Sequence, residues 1–269
     1  MSRLSRVILL ALPLLGGCVK AGPRVAAGET CGGCHAPHRL DRGACSSCHR
    51  GEPTAERQEL GHRLLLSGRA AEHGQANAPA VVEGRRLVDV LACRRCHVVG
   101  GRGNRLAANL DRAVWRREQA ALARSIGAPV ENMPRFAMRE PQVEATIAFL
   151  LHEGDPESGE ESYRVRFWHR RQARSSPFEE DCGGCHRAIL PEGPVGRGSV
   201  GPNLSGLFTP HYPATAAWRQ PWTRAALEKW LTNPRALRPR TTMPPVRLER
   251  GDLRLLEEEL GDPELDTGP

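Results

Sequence analysis

The pentapeptide Cys182-Gly183-Gly184-Cys185-His186 recurs in the same chemical form at Cys31-Gly32-Gly33-Cys34-His35, Cys45-Ser46-Ser47-Cys48-His49 and Cys93-Arg94-Arg95-Cys96-His97. Two thiols three positions apart can each add to a vinyl group of one haem, and the adjacent histidine is then held where its imidazole ligates the iron. Paired CxxC motifs also occur in zinc knuckles, and eight cysteines in an exported chain could form a disulfide framework, but neither needs histidine after every pair. With ten His in 269 residues, four pairs would all be followed by His about once in half a million sequences. The spacing therefore implies four covalently attached haem c groups. Cys31, Cys34, Cys45, Cys48, Cys93, Cys96, Cys182 and Cys185 are the attachment thiols, and His35, His49, His97 and His186 the proximal iron ligands.

Composition agrees with chain packed around a cofactor. Only 39% of residues are hydrophobic, with five Phe, two Tyr and five Trp, which is thin for cores built from side chains alone. A porphyrin is a large apolar plate on which short helical segments can collapse. The formal charge of +7 would suit nucleic acid, but removal of Arg3 and Arg6 with an export signal leaves +5. Each haem with ionised propionates then adds roughly −1 (ferric) or −2 (ferrous), so the loaded protein lies between about +1 and −3. A nucleic-acid partner loses its support.

Residues 1–17 present Arg3 and Arg6, the apolar run Val7 to Leu15 and Gly16-Gly17 before Cys18. That order is an export signal whose apolar run is too short to span a bilayer. Leu15-Gly16-Gly17-Cys18 resembles the bacterial lipobox, which implies lipidation at Cys18 and accounts for the ninth cysteine. Val19 offers no acidic retention signal of the inner-membrane type. The expected location is a lipid anchor on the periplasmic side or outer membrane of a Gram-negative bacterium.

Residues 18–79 are expected to form a dihaem module. Its two motifs stand 14 residues apart, too close for separate domains, and this part resembles multihaem cytochromes. No Met lies between Met1 and Met133, so the distal ligands come from His38, His62 and His73. Residues 54–72 read as a helix, which would put His62 and His73 three turns apart on nearly one face.

The next expected unit, residues 80–154, begins with a helix at 83–91 that runs into Cys93. It continues through a Gly-rich loop, a helix near 114–126, Met133-Pro134 and a closing helix with Val143, Ile147, Leu150 and Leu151. This order resembles class I cytochrome c, which implies a methionine as distal ligand. Met133 is the first candidate and Met138 its rival.

Residues 155–176 read as a linker whose basic and aromatic strip at 163–171 could instead dock a partner. The unit at 177–262 repeats the class I pattern, followed by a tail at 263–269. The resemblance implies that Gly201-Pro202-Asn203-Leu204 sets a proline carbonyl on His186 and that Met243, before Pro244, is the distal ligand. Ala107-Ala108 stands where Gly-Pro would be in the preceding unit, which puts that hydrogen bond in doubt for the third haem. Thr223 is the expected N-cap of a helix bearing Leu227, Trp230 and Leu231, and a last helix carries Leu253, Leu256 and Leu260.

The expected fold is all-α: a dihaem module of multihaem-cytochrome type followed by two class I cytochrome c domains. The whole remotely resembles cytochrome lipoproteins of selenite or tellurite reduction systems. That implies an electron carrier, not an enzyme, exchanging single electrons with other redox proteins. A haem enzyme, such as a peroxidase or oxyanion reductase, or a haem-wiring subunit of a larger reductase, is the alternative.

Overall fold

The structure is a computed structural model that describes residues 29–130, 132–158, 176–217 and 219–261. The export signal with Cys18, and the strip at 163–171, lie outside the described residues. Chain contacts divide the protein into two units, residues 1–71 and 72–269. The break falls at 71/72, where 79/80 was expected, and the CxxCH motifs at 93–97 and 182–186 share one unit.

The described residues of the first unit hold two short helices, α1 (Cys45–His49) and α2 (Gln58–Gly61), with 3₁₀ turns at Cys31–Gly33 and Leu40–Arg42. The helix expected over 54–72 does not form. Leu64 and Gly68 both take positive φ, 60° and 56°, a left-handed backbone that no α-helix continues through. The Leu66 amide donates instead to the carbonyl of His49 at 2.7 Å. Among the described residues of this unit Leu66 is the one buried apolar side chain, while Leu40, Leu60 and Leu65 are exposed.

In the second unit, α3 (Pro79–Val90) starts with proline in its first turn, where no amide donor is lost. The segment expected as one helix near 114–126 is two, α4 (Leu110–Arg116) and α5 (Gln119–Gly127), interrupted where Arg117 is extended. Asn109 caps α4 through the Asp111 amide at 2.9 Å. The closing helix α6 (Glu140–Glu153) buries Val143, Ala145, Ile147, Ala148, Phe149, Leu150 and Leu151. It crosses α3 at Gly84, where an added Cβ would lie 1.9 Å from the Ala145 carbonyl oxygen and 2.6 Å from Phe149 Cβ. Trp115 Nε1 donates to Gly154 O at 3.1 Å and ties α4 to the end of α6.

Beyond Cys185 the chain departs from all-α. A small antiparallel hairpin, β1 (Ala188–Leu190) and β2 (Gly193–Val195), pairs Ala188 with Val195 and Leu190 with Gly193. Three helices follow: α7 (Arg224–Thr232), α8 (Pro234–Leu237) and α9 (Asp252–Leu260). Thr223 Oγ1 accepts from the Ala226 amide at 3.1 Å, the expected cap of α7. The core gathers Phe178, Leu190, Leu207, Leu227, Trp230, Leu231, Leu256 and Leu260, with Cys182 and Met243 packed against it.

Within this unit the segments around residues 95–104 and 203–209 are joined by polar groups. Asn104, fully buried, donates from Nδ2 to Arg95 O and to Thr209 Oγ1, each at 2.8 Å. Arg95 also donates to Asn203 O at 3.3 Å. Ile189 of β1 joins Cys96 and Leu106 in a small apolar cluster.

Candidate haem-binding sites

Each CxxCH segment folds on itself, so that the histidine amide donates back to the carbonyl of the first cysteine. The distances are 2.9 Å for His35 to Cys31, 3.1 Å for His97 to Cys93 and 2.9 Å for His186 to Cys182, and Cys45–His49 is α1 itself. One helical turn therefore carries both thiols and the imidazole in every copy. The eight thiols are free of disulfides, as attachment chemistry requires.

Three of the four histidines also carry a positioning contact. His97 Nδ1 lies 2.8 Å from Ala108 O, His186 Nδ1 2.8 Å from Pro202 O, and His49 Nδ1 2.9 Å from Leu66 O. A carbonyl only accepts, so Nδ1 carries the proton and Nε2 is left as the donor to a metal. The doubt about the third site is removed, because the bond needs a backbone carbonyl at that place and Ala108 supplies it as well as Pro202 does. Gly201 is required for a separate reason: a Cβ there would meet the His186 ring at 2.2–2.7 Å.

In the first unit the histidines come together in pairs. The rings of His35 and His62 are 5.8 Å apart between centroids, and those of His38 and His49 are 5.6 Å apart. Two imidazoles on opposite sides of one iron, each bound at about 2 Å, have centroids roughly 6 Å apart. His73 falls in the second unit, with its backbone carbonyl 3.1 Å from His152 Nδ1. Its Nδ1 is buried without a partner among the described residues, and burial holds its pKa below the usual histidine range. The sequence argument that put His62 and His73 on one helix face fails with that helix.

The third motif opens into a cavity of about 190 Å³. Cys93, Cys96 and His97 line it together with Leu91, Leu110, Leu122, Phe136, Leu150 and both Met133 and Met138. Burial is the main influence on its ionisable groups. It pushes the Cys93 thiol up to about 11, against the pull of Arg95 and Arg94, and holds His97 below its ordinary value. His97 is therefore neutral near pH 7, the form that can ligate. A haem suits this lining: an apolar chamber, two thiols, one oriented imidazole and a choice of two thioethers.

At the fourth motif, burial pushes Cys182 up to about 12, with Asp181 and Glu259 adding to it. Met243 Sδ accepts a hydrogen bond from Trp230 Nε1 at 3.0 Å. Trp230 is fixed in turn by an edge-to-face contact with Trp222, 6.1 Å between centroids, and by Arg238 lying 5.0 Å over its ring. The partner of Met243 was not legible in the sequence, since Trp230 reads as a core residue of α7. Donor sets for a bare metal ion, three or more His, Cys, Asp or Glu together, do not occur among the described residues.

No protein-family model, no curated protein and no solved structure matches the chain.

Proposed function

We propose that this chain is a tetrahaem c-type cytochrome that carries electrons one at a time, anchored by lipid at Cys18 on the periplasmic side or outer membrane of a Gram-negative cell. The histidine pairs carry this reading, because they bring a second imidazole beside the histidine of each of the first two CxxCH motifs, close to the separation that two ligands of one iron would have. His35 with His62, and His49 with His38, are accordingly the ligand pairs of the first two haems. His97 with Met133, and His186 with Met243, serve the third and fourth. Metal or metalloid oxyanion reduction is the respiratory setting in which such a carrier would work.

Bound haem supplies a one-electron iron couple. The protein's part is to hold and tune it. The cysteine thiols would hold the haem covalently, and the carbonyls of Leu66, Ala108 and Pro202 lock their imidazoles as Nδ1–H tautomers with Nε2 left to bind the metal. The apolar lining of the third site would exclude water from the bound group and so limit the reorganisation that a change of charge requires. Scarcity of buried apolar side chains among the described residues of the first unit is further support, since it calls for a large apolar group inside.

Electron paramagnetic resonance of the fully oxidised protein is the test. A carrier with four six-coordinate haems gives four low-spin ferric signals per chain. A stoichiometric high-spin signal would mean an open sixth position and overturn the carrier in favour of a haem catalyst. Loss of iron on denaturing electrophoresis would overturn haem attachment itself.

A further inference from the structure

The loop that carries Met133 is hydrogen-bonded to the segment that holds the next proximal histidine. Asn132 Nδ2 donates to Val195 O at 2.8 Å and to Ala188 O at 3.2 Å, so its side chain grips both strands of the hairpin that follows His186. In the other direction Asn203 Nδ2 donates to Asn132 O at 2.9 Å. Asn203 adjoins Pro202, whose carbonyl accepts from His186 Nδ1. Its carbonyl and Oδ1 are committed as well. The Asn203 carbonyl accepts from Tyr212 Oη at 3.1 Å and from Arg95, which lies within the third CxxCH motif. Its Oδ1 accepts from the amide and hydroxyl of the fully buried Ser205. Asn132 itself sits at φ 63°, a left-handed conformation that asparagine tolerates better than most residues.

We propose that Asn132 and Asn203 form a clamp that couples the distal methionine loop of the third haem to the proximal histidine strap of the fourth. The inference rests on Met133 and His186 being axial ligands of neighbouring haems. Displacing Met133 then pulls on Ala188, Val195 and Asn203, and through Pro202 on the ring orientation of His186. By linkage, a change at the fourth site biases retention of Met133 to the same extent. Asn132 is a positioning residue: it acts through the segments on either side of it. The contiguous hydrogen bonds supply the physical connection that such coupling needs.

The test uses full-length holoprotein carrying Met243→His, so that the red-region methionine-to-iron band reports the third haem alone. Imidazole is added to displace its methionine, while the resonance signal of the bis-histidine fourth haem is followed. In this parent, loss of the band should be accompanied by a shift in the fourth-haem signal. Adding Asn132→Asp, which keeps the shape but loses both donors, should lower the imidazole needed for half-displacement about tenfold, the factor expected from losing two net hydrogen bonds. It should also abolish the accompanying shift. Asn132→Gly, which suits the positive φ and adds no charge, should behave alike, with unchanged haem loading excluding misfolding.

Superimposable displacement curves, or a shift that persists in both variants, would overturn the clamp. A parent that binds four haems yet lacks the band would overturn methionine ligation of the third haem first, and the clamp with it.

Discussion

Ala44 begins α1 without a capping side chain, and the carboxylate of Glu29, 16 residues before Cys45, takes that place. It accepts from the Cys45 amide at 2.9 Å, from the Ser46 amide at 3.0 Å and from the Ser46 hydroxyl. Partial burial pushes this carboxyl up, but the bonds from Ser46 and Cys45 together outweigh it and hold the group below its ordinary 4.5. A depressed carboxylate stabilises above its unfolded value and loses that contribution as pH falls through the folded one. Glu29→Gln should therefore lower the stability of the first unit by about 1 kcal/mol near pH 6. The gap from wild type should close as the pH drops below 4.5, which thermal melts across that range would record. At Gly201 the expectation is local to one haem: Gly201→Ala must displace the His186 ring, break its bond to Pro202 and alter one of the four low-spin signals. Four unaltered signals would mean that the ring is not held against this backbone.

Among the elements, α3 and α6 depend on the absence of a side chain at their crossing. Alanine is the better helix former by about 1 kcal/mol, yet Gly84→Ala would drive a methyl group into the Ala145 carbonyl and Phe149. The helices must separate, and a net loss of about 2–3 kcal/mol is expected. A denaturant midpoint at or above that of wild type would refute this crossing. Helix existence in this unit was legible because the apolar stripes at 87–91, 143–151 and 253–260 have helical period. The helix over 54–72 failed because Leu64 adopts a left-handed backbone and the Leu66 amide pairs with His49, a choice made by a contact 17 residues away. The hairpin 188–195 was missed because its strands have three residues each, too few to show alternation.

Across the whole molecule, the tetrahaem reading proposed above requires ligand type to divide the haems by potential. Two imidazoles favour ferric iron, whereas methionine, the softer donor, favours ferrous iron. The haems served by the pairs His35–His62 and His38–His49 should form a low-potential group, and those at His97 and His186 a high-potential one. The N–H···S bond from Trp230 withdraws electron density from Met243 and should lift the fourth potential further, so Trp230→Phe should lower one step of the high group and leave the low group unmoved. Spectropotentiometric titration separates the two groups. Four overlapping low potentials without a methionine band would place histidines at all the distal positions.

The four CxxCH motifs were legible in the sequence, because each is a local pattern that one helical turn brings together. The sequence also marked the positions where Thr223, Pro202 and the closing helices would be found, since caps, turns and periodic stripes are local. Tertiary structure decided the rest. The pairing of His62 with His35 and of His38 with His49 depends on how loops with left-handed residues at Arg39 and Leu64 return on themselves. That Ala108 serves as well as Pro202 follows from a bond made by the backbone, to which side-chain identity is nearly indifferent. The grip of Asn132 on residues 188, 195 and 203 spans 56 to 71 positions, and a single asparagine in a loop gives no sign of a partner so far along the chain.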